Sequence, residues 1–460
     1  MLLTISSIFG LLAALFTVVG TFWAIKIASI SKEGILKYAF YALLLSNALA
    51  IFLSPRDFSA DIEYFQSAIN TSFVANWAIR LTSMLLMLAA VERILYFFRQ
   101  NSLDLTRLSF ALIILYVWVT NLAIPFYFTA GYNIQISHFY SLVFGIGIIL
   151  SLQENKDDIM LHVRNALIVF VVLSLLAILV KPNHVLDLSY SQGYIPGLPR
   201  FFGLASHATM MGVFSALACW LLITYPLNNR RNNFLLLSLM FVSLILTQSK
   251  TVLVVFFLGL IVFYLFSTSK SEPESSASKN NSTKLVVLSI SLVFISLGLL
   301  GLLLMDVENW VYQSVSPETI NNITTLTGRD VIWAIALEEF YKSPIVGYGA
   351  GLFSNEHKIQ IGMMNATDGH NQFIDTLARA GLIGLSGYLL LYGFMGYYAF
   401  KFARITKGLT LNLFLLISVY SITAVPITWT SLGPRTLTFL LLLTLISSNL
   451  NLIADKEKKR

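Results

Sequence analysis

The sequence predicts an all-α membrane protein of many spans with one large, partly helical outer loop. Three observations carry that expectation. Of 460 residues, 57% are hydrophobic and only 12% are charged, whereas a soluble chain is about a quarter charged and under half apolar. The apolar residues fall in runs of roughly 17 to 28, the length that crosses a hydrocarbon core of about 30 Å. The charges are bunched between those runs. This pattern excludes a soluble enzyme, a nucleic-acid-binding domain and a disulfide scaffold. Loop lysines and arginines account for the net charge of +7, so no nucleic acid is needed to explain it. Cys219 is the single cysteine and lies inside an apolar run, so it can form neither an intrachain disulfide nor a cysteine metal cluster.

Taken in order, the runs read as helices Leu2–Ser29, Ile35–Leu53, Ala75–Phe98, Leu108–Phe128, Ser137–Leu152, Leu161–Val180 and Phe201–Tyr225. Phe234–Gln248, Thr251–Ser267, Leu285–Met305, Leu382–Phe400, Leu409–Thr428 and Thr436–Ile453 follow. This makes thirteen spans, or twelve if one short run is re-entrant. In lipid every backbone polar group must be bonded internally, which favours helices for such runs. The first run has no basic leader and no small-residue cleavage site, so it reads as a retained helix rather than a signal peptide.

Basic residues set the orientation. Alternate loops carry Lys32 and Lys37, Arg99 and Arg107, Lys156 and Arg164, and Arg230 and Arg231. The same side continues with Lys270, Lys279 and Lys284, then Lys401, Arg404 and Lys407, then the tail Lys456, Lys458, Lys459 and Arg460. With Lys26 and Arg93 these are the greater part of the 30 lysines and arginines. That side is expected to be cytoplasmic, which puts the N-terminus outside. The organisation expected is 1–305 as ten spans with short loops, 306–381 as a large outer loop, and 382–460 as the last spans with a basic cytoplasmic tail. Within the first part, 268–284 reads as a flexible cytoplasmic linker, because it is rich in serine, asparagine and lysine and has no apolar period.

Chemistry is expected in Asp306–Gly381. Thr327-Gly328-Arg329-Asp330 has the form of a helix start, with Thr327 as N-cap and Asp330 completing a capping box. Ile332, Ile335, Ala336 and Phe340 then recur at helical spacing, Ser343-Pro344 ends the helix, and Gly347-Tyr348-Gly349-Ala350-Gly351 makes a turn. Arg329 in the first helical turn either holds an anion, where free N–H groups and the dipole favour one, or pairs with a carboxylate. Asp368-Gly369-His370-Asn371 precedes a short helix, Gln372–Ala380, that ends at Gly381 and leads into the next span. At a helix N-terminus the dipole disfavours imidazolium, so His370 either serves as a general base or caps the helix. Asp368 either orients the imidazole or is itself the cap. The loop holds nine acidic and four basic residues, so an anion bound there must be held by particular arginines rather than by the overall field.

Further candidates face the same side. Arg200 ends the outer loop Lys181–Arg200, His207 is expected about two turns deeper in the span that follows, and Lys250 lies at the next outer corner. Arg435 reads as a snorkelling anchor. Arg80 either serves function or reaches the outer interface, and Glu92 either does so or pairs with Arg93.

Arg200 with Gly203 and His207, Ser249-Lys250-Thr251, Thr327-Gly328-Arg329 through Trp333, Pro344 with Gly347-Tyr348-Gly349, and His370-Asn371 leading to Gly381-Leu382-Ile383-Gly384-Leu385 occur in that order. This pattern resembles the bacterial O-antigen ligase and O-antigen polymerase superfamily of membrane glycosyltransferases, most specifically between Thr327 and Leu385. The resemblance implies a type C glycosyltransferase-like fold in the bacterial inner membrane, with an active site facing the periplasm. It implies transfer of a glycan from undecaprenyl diphosphate to an acceptor hydroxyl, with no cofactor and no metal. By the same resemblance Arg200 and Arg329 hold the diphosphate and His370 is catalytic. Lys250, His207, Asn371 and Tyr348 are candidate contacts to diphosphate or glycan. The implied partners are the lipid-linked donor, a glycan or lipid A core acceptor, membrane lipid, a chain-length regulator and a flippase. A polymerase-type enzyme is favoured, and a ligase that transfers to lipid A core is the alternative. From another class, a lipid-glycan transporter or flippase is disfavoured, because neither the inverted repeats nor the matched broken helices of transporters are visible.

Overall fold

The computed structural model describes residues 36–54, 56, 58, 73–99, 104–128, 135–151, 156–190, 193–195, 197–266, 329–361, 366, 368–429 and 432–458. The protein is an all-α polytopic membrane protein. Among the described residues, four helices are long and apolar enough to cross a membrane: Phe73–Arg99, Leu105–Phe128, Asp157–Val180 and Gln372–Lys401. Shorter apolar helices accompany them at Tyr38–Phe52, Ser137–Leu150, Ala208–Thr224, Lys250–Phe266, Leu409–Thr423 and Pro434–Leu450. The expected runs Leu2–Ser29 and Leu285–Met305, the 268–284 linker and the Thr327-Gly328 helix start lie outside the described residues.

Two compact units emerge. The first comprises Met1–Val119, Asn133–Ser249 and Ile427–Arg460, and the second comprises Thr120–Tyr132 and Lys250–Pro426.

In the first unit the Phe73–Arg99 helix packs along Ser137–Leu150. A Cβ on Gly147 would stand 2.6 Å from that of Ala90, the kind of close backbone approach that small residues permit between membrane helices. Buried charges in this unit are met by partners. Arg93 pairs with its neighbour Glu92. Arg107, fully buried, donates to the Ser151 carbonyl at 3.0 Å and to Ser447 Oγ at 2.6 Å, tying the end of the Ser137–Leu150 helix to the last helix.

One expectation needs correction here. The run from Phe201 does not begin as helix. Arg200–Phe201 pairs as a short antiparallel strand with Leu186–Asp187, and helix starts only at Ala208. Gly203 takes the left-handed conformation (φ 53), which interrupts any helix there. The carbonyls of Gly203 and Ala205 are taken by the buried guanidinium of Arg56, which replaces the helical bonds the segment lacks. His207 therefore sits at the N-cap position, in extended conformation and with no side-chain cap bond, rather than two turns inside a helix.

In the second unit Leu409–Thr423 packs on Lys250–Phe266 and on Gln372–Lys401, and the last of these also packs on Arg329–Lys342. The buried Asn412 amide donates to the Gly259 carbonyl at 3.1 Å.

Candidate functional site

The site in the second unit is built around a break in a long helix. Gln372–Lys401 loses helical geometry at Gly381 (φ 61, ψ −161). A break inside an apolar helix frees backbone groups that lipid cannot satisfy. Here the turn after the Arg329–Lys342 helix takes up both sets. Leu382 N–H donates to Pro344 O at 2.9 Å and Ile383 N–H to Ile345 O at 3.2 Å, while Tyr348 and Gly349 N–H groups donate at 2.8 Å to Ala378 and Arg379 carbonyls. So close a docking requires glycine on both sides. A Cβ on Gly381 would lie 2.3 Å from Ile345 O, and one on Gly347 (φ 70) would lie 2.4 Å from Ala380 N. Ala336, Leu352 and Ala378 form a small apolar cluster beneath, with Tyr348 and Phe353 against it.

The same architecture fixes the turn that carries His370. Trp333, one turn into the Arg329–Lys342 helix, donates its indole N–H to Gly369 O at 3.0 Å. Asp375, buried in the first turn of the following helix, accepts Gly369 N–H at 2.8 Å and also binds Arg379 Nε at 3.1 Å. Asn371, not His370, caps the helix, accepting from Phe373 and Ile374 N–H groups at 2.9 and 3.2 Å. Its amide nitrogen donates to Ile422 O at 3.2 Å, so both ends of the Asn371 side chain hold the turn.

His370 has φ 46, an uncommon conformation for a residue with a side chain; such residues cluster at functional sites. Its N–H donates to Asp368 Oδ1 at 3.0 Å, and its imidazole Nδ1 lies 3.4 Å from the same oxygen. The imidazole is one-third exposed (33%), whereas the Asp368 side chain is 11% exposed. Arg329, half-buried on the neighbouring helix, has its pKa pushed below the usual arginine value by burial; the Tyr420 phenol and the Asp368 carboxylate act in the opposite sense. Asp368 is thus a neighbour of both Arg329 and His370, and a guanidinium, a carboxylate and an imidazole share one region of this unit.

The other expected residues are distributed as follows. Tyr348 stacks on His357 with ring centroids 3.9 Å apart. His357 Nε2 lies 3.5 Å from buried Glu339, which also binds Lys342. Sequence reasoning missed this cluster, because only the fold brings Glu339 to His357, 18 positions away. Lys250 is the exposed first residue of its helix. Arg200 and His207 belong to the first unit. There Arg200 donates to Thr247 O at 3.2 Å and lies over the Tyr190 ring at 4.3 Å. Arg56 was also missed, as a loop arginine with no motif around it. It donates to His184 O at 2.8 Å and Ala205 O at 2.7 Å, as well as to Gly203 O.

Fold and site together define a multi-span helical membrane protein whose polar groups gather around a docked turn and a broken helix. Residues 235–389, about a third of the chain, match the family described as O-antigen ligase. The matched stretch contains Lys250, Arg329, Tyr348, His370 and Asn371; Arg200 and His207 precede it. A comparison with curated proteins gives no match.

Proposed function

We propose that the protein is a polymerase-type glycosyltransferase of the bacterial inner membrane. It transfers a glycan from undecaprenyl diphosphate to an acceptor sugar hydroxyl at the periplasmic face, inverting the anomeric centre without a metal. The observation that carries this reading is the grouping of Arg329, Asp368 and His370 on one turn and its neighbouring helix.

Imidazole Nε2 takes the proton from the acceptor hydroxyl as its oxygen attacks the anomeric carbon from the face opposite the diphosphate. The bond from that carbon to the diphosphate oxygen breaks, and the electron pair leaves with the lipid diphosphate. Guanidinium groups suit the charge that develops, because they stay protonated and bind phosphate oxygens in pairs. Arg329 has that role in its unit, with Lys250 as a further cation and Tyr348 as a contact to the glycan; Arg200 and His207 are the corresponding candidates of the first unit.

The test is glycan synthesis in a strain lacking the gene, complemented with variants at matched expression. Removing one charge-stabilising donor costs about a hundredfold to a thousandfold in rate, so Arg329→Ala is expected to leave at most a trace of polymer. Normal-length glycan from that variant would contradict the assignment. The uncomplemented strain separates the acceptors. Single-repeat glycans at the surface fit a polymerase, whereas full-length chains stranded on undecaprenyl diphosphate mean transfer to lipid A core.

A further inference from the structure

We propose that Asp368 is a positioning residue, holding the Nδ1 side of the His370 imidazole so that Nε2 faces the acceptor hydroxyl. This rests on the reading of His370 as the base and adds a second residue to it.

Three features of the geometry lead there. First, the Asp368 carboxylate meets His370 twice, accepting its backbone N–H at 3.0 Å and lying 3.4 Å from Nδ1. The second distance is longer than a formed hydrogen bond, and catalytic bonds commonly tighten only when substrate is bound. Second, the pair is asymmetric: Asp368 is almost enclosed while the imidazole is one-third exposed. A proton on Nδ1 directed at the carboxylate leaves Nε2 as the unprotonated nitrogen, the tautomer a general base needs. Third, the turn that carries both residues is fixed from outside itself, by Trp333 on Gly369 O and by Asp375 on Gly369 N–H. The left-handed backbone at His370 is thereby held in place.

Among the described residues, the charged and titratable groups near the imidazole lie on four elements. Asp368 lies on its own turn, Arg329 on the Arg329–Lys342 helix beside Asp368, and Tyr420 on the Leu409–Thr423 helix beside Arg329. Asp375 and Arg379, on the helix that follows, are paired with each other. Among the described residues, Asp368 is thus a carboxylate placed to favour the imidazolium that forms when the acceptor loses its proton.

The rival account is purely local, with Asp368 bending the chain as an Asx turn. Asparagine makes that turn equally well, so Asp368→Asn keeps the bend and removes only the charge. The experiment uses the full-length protein in detergent or nanodiscs with a synthetic undecaprenyl-diphosphate glycan, and measures kcat and KM from pH 5 to 9. For Asp368→Asn we expect unchanged thermal stability, kcat at least about tenfold lower, and an acid limb of kcat/KM moved down by about one pH unit. Asp368→Glu is expected to recover part of the rate and return the limb. A wild-type kcat and an unmoved limb in Asp368→Asn, with His370→Ala inactive, would overturn the positioning role alone. Full activity in His370→Ala would overturn the base assignment as well.

Discussion

The segment from Arg200 to His207 and the turn from Asp368 to Asn371 are both irregular stretches of chain set just before an apolar helix, yet opposite charges hold them. In the first, a cation satisfies carbonyls: Arg56 donates to His184, Gly203 and Ala205 oxygens. In the second, anionic and amide oxygens satisfy N–H groups. Asp375 takes Gly369 N–H, Asp368 takes His370 N–H, and Asn371 takes those of Phe373 and Ile374. The first segment carries Arg200, whose cross-strand partner Asp187 accepts from Ser189 Oγ at 2.7 Å. The second is close to neutral, with two carboxylates set against Arg329 and Arg379. A guanidinium suits an anion such as diphosphate, and a partly exposed imidazole suits proton transfer. Within its own unit, the first segment carries candidates for binding, Arg200 and His207, and the second carries the candidate for proton transfer, His370.

That division can be broken by substitution. The largest effect is expected from Gly381→Ala. The left-handed φ and the 2.3 Å approach to Ile345 O leave no room for a methyl group, so the turn must undock from the helix break. Transfer should fall more than about a hundredfold, because positioning alone can carry that much. Limited proteolysis should open the chain between Lys342 and Leu352. Wild-type activity with an intact turn would show that the docking does not shape the site. A smaller effect is expected from Arg56→Met, which leaves the carbonyls of His184, Gly203 and Ala205 without this donor. Each orphaned buried acceptor costs about 1–3 kcal/mol, so a reversible unfolding measurement should register a loss of about that size or more. The kinetic consequence should fall on the KM for the lipid-linked donor rather than on kcat. A fall in kcat with KM unchanged would erase the contrast between the two segments.

Much of this architecture was legible in the sequence. The eleven apolar runs that fall on described residues all carry helix, because each is long and nearly free of charge. The period of Ile332, Ile335, Ala336 and Phe340 gave the Arg329–Lys342 helix, and Gly381 marked the end of the short helix it now breaks. What stayed hidden depends on long-range contacts. Hydropathy cannot tell an extended apolar stretch from a helical one, so Phe201–His207 read as the start of a span until Gly203 and Arg56 showed otherwise. Nothing local links Arg56 to residues nearly 150 positions away. Similarly, Trp333 read as part of an amphipathic helix, although its indole N–H holds the His370 turn.

The most direct test of the central claim, that His370 performs the chemistry while cations hold the donor, is single-turnover transfer by purified His370→Ala alongside donor binding measured on the same preparation. The expected result is donor affinity within about threefold of wild type and transfer slowed by at least about a hundredfold, the lower range for loss of a general base. Transfer at the wild-type rate, or loss of donor binding in step with activity, would contradict it.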